Sequence, residues 1–121
     1  MARILLVEDN EMNRDMLSRR LTRSGHEVLI AEDGEQAVAM TSGENPDIVL
    51  MDIGLPGIDG WEATRRIRAE ETTVPIVALT AHAMSGERER ALAAGCDDFD
   101  TKPVDLPRLL SKIDALLAKQ R

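Results

Sequence analysis

Apolar and polar positions fall in blocks along this chain, and the blocks change period in a regular order. Ile4-Leu5-Leu6-Val7, Ile48-Val49-Leu50-Met51 and Ile76-Val77-Ala78-Leu79 are unbroken apolar runs of strand length. Such runs fit strands covered on both faces, as in a parallel sheet. They predict a first strand at Arg3 to Val7, a third at Asp47 to Met51 and a fourth at Val74 to Leu79. Pro75 sits near the start of the fourth, where a missing N–H is tolerable. A second strand is expected at Glu27 to Ala31, with Val28 and Ile30 branched at Cβ. A short fifth is expected around Phe99.

Between the strands the period becomes helical. Asn10 to Ser24 places Met16, Leu17 and Leu21 on one face, and Gly25 stands where a left-handed C-terminal cap belongs. Asp33 and Gln36 are spaced as a capping box before Ala37, Val38 and Met40, with Gly43 as the stop. Asp59 and Glu62 repeat that spacing after a turn-rich loop, Gly54 to Gly60, and open a helix that buries Trp61 or Ala63 and then Ile67. Ser85 is a candidate cap for a helix through Ala94, closed by Gly95. Asp105 caps the last helix, Pro107 lies in its first turn, and Leu106, Leu109, Leu110, Ile113, Leu116 and Leu117 form its stripe. Right-handed crossovers turn five strand–helix units into a doubly wound α/β sheet with helices on both faces. The chain has no internal repeat, low-complexity tract or linker, so residues 1–121 are expected to form one domain with no effector domain.

Composition narrows the function. The formal charge is −7, which argues against a nucleic-acid surface, and no basic amphipathic stretch suggests a membrane partner. The apolar runs are strand-sized, too short to span a bilayer, and the N-terminus does not read as a secretory signal. Cys96 is the single cysteine, so an internal disulfide is impossible and a reducing cytoplasm is the expected location. One cysteine and two distant histidines exclude a Cys/His zinc site in practice. Cys96 itself reads as buried packing, His26 as a turn residue, and Glu87-Arg88-Glu89-Arg90 as a solvated helix face.

The candidate chemistry collects at strand C-termini, the edge where open parallel sheets bind ligands. Glu8-Asp9 follows the first strand, Asp52 the third and Thr80 the fourth, and Lys102-Pro103 follows the fifth. Carboxylates brought together there repel unless a cation sits among them. Mg²⁺ suits one or two carboxylates plus a phosphate. Asp52 is the candidate nucleophile, since a carboxylate can take a phosphoryl group as an acyl phosphate. Lys102 would add positive charge and Thr80 a hydroxyl donor. Singly, each has an ordinary reading: Asp9 as a helix cap, Lys102 as a solvated surface residue, Thr80 as a strand end. The X–Pro bond after Lys102 accepts the cis form readily, a geometry that would aim the lysine inward.

This ordered set, with the loop Met51 to Gly60, resembles the receiver domain of two-component response regulators over the whole chain, most closely single-domain regulators of the DivK type. The resemblance implies a (βα)5 flavodoxin-like domain with strand order 2-1-3-4-5. It implies that Asp52 accepts phosphate from a histidine kinase or histidine phosphotransfer protein. The chain would catalyse its own phosphotransfer and autodephosphorylation rather than turn over a substrate. Asp9, Asp52 and the backbone carbonyl of Gly54 would ligate Mg²⁺, with Mn²⁺ able to stand in, and Glu8 would act mainly through water. Thr80 and Lys102 would contact the phosphoryl group. Phe99 occupies the family's switch position, where it would turn inward as Thr80 moves; its plain reading is a core residue. It is Phe rather than Tyr, so no output contact passes through a hydroxyl. Gly54 and His82 stand at positions that tune how water reaches the acyl phosphate, although His82 also reads as an exposed loop residue. The output face would be the Ser85–Ala94 helix, the Phe99 strand and the last helix.

Rival readings are an excised receiver module of a hybrid histidine kinase, a phosphorylation-independent pseudo-receiver, a flavin binder of the same architecture and a small Mg²⁺-dependent phosphatase. A flavin phosphate would be repelled by Glu8 and Asp9, and its ring would find almost no aromatic walls. A phosphatase would need a cap domain or long loops for which there is no length.

Overall fold

The packing follows from the three apolar runs at residues 4–7, 48–51 and 76–79, which have to be covered on both faces. A computed structural model describes residues 2–70, 72–81 and 86–119. In chain order these form β1 (Arg3–Val7), α1 (Glu11–Arg23), β2 (Glu27–Ala31), α2 (Gly34–Glu44), β3 (Ile48–Asp52), α3 (Gly60–Ala69), β4 (Ile76–Thr80), α4 (Glu87–Ala94), β5 (Asp98–Thr101) and α5 (Leu106–Lys119). All strands pair in parallel in the order β2-β1-β3-β4-β5. The central strands β3 and β4 are buried throughout. Alternation along each strand divides the core in two. Leu5, Val7, Val49, Met51, Ile76 and Ala78 face α2, α3 and α4, while Ile4, Leu6, Ile48, Leu50, Val77 and Leu79 face α1 and α5.

The helix caps match the predicted chemistry with small shifts. Asn10 caps α1 by accepting from Asn13 N–H, and Gly25 takes the left-handed conformation after it (φ 94°). Asp33 and Asp59 each accept from the N–H three residues on. The reciprocal half of the boxes is absent. Gln36 turns to Glu32 N–H instead, and Glu62 pairs with Arg65 and Arg66. Asp105 caps α5 through Arg108 N–H.

Several expectations are corrected. Gly43 does not stop α2, which runs one residue further and ends at Asn45 in the left-handed region (φ 49°), a conformation asparagine tolerates, and Pro46 after it cannot continue the helix. Met16 is half exposed, because the buried seam of α1 runs through Leu17 and Leu21, and Met12 and Met16 sit one position off it. Trp61 and Ala63 are both buried, where one of the two was expected. β3 and β4 start and end one or two residues late, so Asp52 and Thr80 are the last residues of their strands rather than the first residues beyond them. α4 starts at Glu87 behind Gly86 (φ 97°), with no side-chain cap bond. Ser85 and His82 lie outside the described residues. Among the described residues no helix is long and apolar enough to cross a membrane.

Candidate functional site

Register alone brings the acidic residues to one level. Val7 pairs with Met51, so Glu8 leaves β1 beside Asp52 at the end of β3. Asp52 pairs in turn with Leu79, and Thr80 pairs with Thr101. Thus Glu8, Asp52, Thr80 and Lys102 meet on the C-terminal edge of four adjacent strands. Glu8, Asp52 and Thr80 are buried there, and Asp9 is exposed at the rim.

One carboxylate oxygen from each of Glu8, Asp9 and Asp52 lies within 4.8 Å of the others. Lys102 reaches in from the β5–α5 turn, where the Lys102–Pro103 peptide is cis as anticipated. Its Nζ lies 2.8 Å from Glu8 Oε1 and 3.1 Å from Asp52 Oδ1. Asp52 Oδ1 also accepts from Gly54 N–H at 3.1 Å, and Glu8 Oε2 accepts from Asn10 N–H at 3.1 Å. The backbone is drawn tight around the acceptor. Ile53 N–H donates to Leu79 O, Gly60 N–H donates to Ile53 O, and Lys102 N–H donates to Thr80 O at 2.7 Å.

The electrostatics follow from two buried carboxylates, Glu8 and Asp52, sharing one ammonium, with Asp9 at the rim. Burial raises Glu8 above the usual glutamate range; the Lys102 hydrogen bond and Asn10 N–H pull it back, and the Asp52 charge raises it further. Burial works to lower Lys102, but the Glu8 hydrogen bond and the charges of Asp52 and Glu8 outweigh it, so Lys102 is held firmly protonated. Lys102 neutralises only part of the acidic charge. The remaining hard-oxygen donors, brought within a few ångströms of one another, are the donor set that Mg²⁺ takes. The residues present therefore fit a divalent hard cation.

The site residues expected from sequence separate into those brought together and those set apart. Glu8, Asp9, Asp52, Gly54, Thr80 and Lys102 line one cleft of about 470 Å³. Gly54 leaves space, since a Cβ there would meet only Asp52 Oδ1 at 3.9 Å. Phe99 is half-buried on β5, packed against the core on the α2–α4 side of the sheet, with Lys112 Nζ 5.5 Å from its ring centre. Two features were not anticipated. Glu8 is tied to Lys102 directly. The run at 87–90 is not all solvated: Arg90 lies 5.3 Å over the Trp61 ring, and Glu87 and Arg90 line the cleft wall. An acidic–basic alternation on a helix gives no sign of a cation–π partner 29 residues earlier; only the tertiary packing of α3 against α4 does.

Comparison with known proteins agrees with this geometry. Residues 4–114 match the profile of the response regulator receiver domain. Protein PilH of Pseudomonas aeruginosa is 41% identical over 120 residues, covering 98% of this chain and 99% of that protein. The receiver domain of sensor histidine kinase PA1611 from the same species, solved with magnesium coordinated in its active-site cleft, is 41% identical with a TM-score of 0.89, covering 97% and 98% of the two chains. The receiver domain of Saccharomyces cerevisiae Ssk1, solved with the histidine phosphotransfer protein Ypd1, is 33% identical with a TM-score of 0.92, covering 98% and 90%.

Proposed function

This chain belongs to the response-regulator receiver domain family of two-component signalling, and from that premise we propose that Asp52 is its phosphoacceptor. The observation that carries the reading is the meeting of Glu8, Asp9 and Asp52 oxygens within 4.8 Å, with Lys102 bridging two of them.

Asp52 Oδ1 is held by Gly54 N–H and Lys102, which assigns Oδ2 to the new bond. That oxygen attacks phosphorus, the P–N bond of a phosphohistidine donor breaks, and its electron pair stays on the imidazole nitrogen, which takes a proton. Receiver domains engage histidine kinases or phosphotransfer proteins, as the Ssk1–Ypd1 pair illustrates, and the donor here is assigned to that class. Asp9, Asp52 and the Gly54 carbonyl would hold Mg²⁺, with Glu8 acting mainly through water and Mn²⁺ able to stand in, and the bound ion would supply charge neutralisation for the phosphoryl group. Lys102 places a fixed positive charge beside the same oxygens, and the buried Thr80 hydroxyl supplies a donor. Gly54 leaves room for the water of autodephosphorylation. His82 is assigned a tuning role there.

Phosphorylation adds charge and strong acceptors at Asp52. Thr80 shifts toward them and Phe99 follows, altering the face made by α4, β5 and α5. A downstream protein must prefer one of the two conformers for the signal to pass. We place the protein in the cytoplasm, as a receiver of the PilH kind, which it matches over 98% of this chain and 99% of that protein. A receiver carried by a hybrid kinase is the second reading, since PilH and the PA1611 receiver are equally similar at 41%.

Intact-mass analysis after incubation with acetyl phosphate tests the assignment. Wild type with Mg²⁺ should gain one phosphoryl mass, and Asp52→Asn or EDTA should abolish it. No adduct from any donor would leave only the pseudo-receiver.

A further inference from the structure

The buried carboxylate of Asp100 has no place in the chemistry above. Asp100 is only 3% exposed, on the β5 face that looks toward α5, where the neighbouring strand presents Val77 and Leu79. Its Oδ2 is buried and has no hydrogen-bond partner among the described residues. An apolar residue would pack there without that cost, and buried ion pairs are often dispensable for stability. A reason beyond packing is therefore needed.

The other oxygen supplies it. Asp100 Oδ1 accepts from Arg108 Nε at 2.8 Å and from Thr101 N–H at 2.8 Å, and Arg108 Nη2 lies 2.7 Å from it. The same Nη2 reaches Thr101 Oγ1 at 3.4 Å, and Arg108 N–H donates to Asp105 Oδ1 at 3.1 Å. Lys112 adds a second cation 3.9 Å from Oδ1. Arg108 thus joins the last two residues of β5 to the first turn of α5. Between those anchored ends stand only Lys102 to Asp105, and Lys102 is itself fixed by its N–H to Thr80 O.

We propose that Arg108 and Asp100 form a clamp that positions Lys102 for phosphoryl transfer. The lysine stem is flexible, so its ammonium is placed only as well as its backbone is. A small drift in the turn would misalign the ammonium with the phosphoryl oxygens while leaving the carboxylates in place. Small misplacements of this kind cost large factors in rate. The inference rests on the role assigned to Lys102 above.

The test is the double variant Asp100→Leu with Arg108→Met, which replaces the pair by apolar groups of similar size. Its urea midpoint should equal or exceed that of wild type. Its rate of phosphorylation by acetyl phosphate and Mg²⁺ should fall about tenfold, with Mg²⁺ affinity, read from Trp61 fluorescence, unchanged. Arg108→Lys should fall in between, because a point charge cannot hold Asp100 and Thr101 together. In a Lys102→Ala background the double change should have no further effect. Wild-type rates in the double variant would overturn the clamp alone, as would an equal further loss in the Lys102→Ala background or a parallel loss of Mg²⁺ affinity. A wild-type protein that takes no phosphoryl group would overturn the role of Lys102 first and the clamp with it.

Discussion

Glu8→Gln should make the metal-free protein more stable, although it weakens an ion pair at 2.8 Å. Three effects compete. At an effective dielectric constant of about 20, Asp52 repels a Glu8 charge up to 4.8 Å away by roughly 3.5 kcal/mol. Burying the carboxylate costs roughly 3–4 kcal/mol more. On the same scale the Lys102 attraction returns roughly 6 kcal/mol. The raised Glu8 pKa says that burial and repulsion win. Glutamine keeps the shape and still accepts from Lys102 and Asn10 N–H, and Lys102 retains Asp52 at 3.1 Å. The net gain is about 1 kcal/mol, a shift in melting temperature of about 4 °C at this chain length. Urea unfolding followed by Trp61, the sole tryptophan, measures it in EDTA and again in Mg²⁺. In Mg²⁺ the order should reverse or close, because wild type gains by mass action and the variant gains less. A variant less stable than wild type in EDTA would show that the Lys102 bond dominates, and the account of a charge-frustrated site would be wrong.

Other perturbations have equally definite outcomes. Lys102→Ala leaves Glu8 and Asp52 without their shared cation. Unfolding free energy in EDTA should fall by about 2 kcal/mol, less than for a fully buried pair because the lysine side chain is 22% exposed, and Mg²⁺ should restore part of the loss. Gly60→Ala places a Cβ 2.5 Å from Asp52 O and 2.7 Å from Ile53 Cα, so backbone must move; a loss of about 1–3 kcal/mol is expected, with slower phosphorylation, and wild-type stability would contradict the packing described. Burial lifts the Cys96 thiol from 9.0 to about 11, against a weak pull from Thr64. The folded protein holds that proton more tightly than the unfolded chain. The resulting stability is full below pH 9.0 and drains away as pH rises through about 11. Cys96→Ala should flatten that part of the alkaline fall in urea midpoint, and an unchanged slope would refute it.

The sheet was legible because continuous apolar runs have few alternatives, and β1 and β2 begin and end where the pattern places them. Strand ends at Asp52 and Thr80 were harder. A polar residue looks like an exit from the core, yet ladder pairing with Leu79 and Thr101 keeps each inside its strand. Glycine at 43 looked like a stop because propensity is local, whereas the helix continued to the Asn45–Pro46 step. The acidic site was readable since parallel register forces strand ends onto one edge. Its wiring was not: the Glu8–Lys102 bond spans 94 positions. Asp100 carried a faint signal, a charge at the buried parity of a strand with an arginine eight residues on. Without the α5 packing, that arginine reads as any surface residue.

The most direct measurement is residue-level mapping of the acceptor. The protein would be incubated with a phosphorylated histidine phosphotransfer protein and Mg²⁺, quenched in borohydride, and its peptides weighed. Reduction of an acyl phosphate is expected at position 52 alone, and none when EDTA replaces Mg²⁺. Label at any other residue, or transfer to Asp52 undiminished without a divalent ion, would rule out a metal-assisted phosphoacceptor at Asp52.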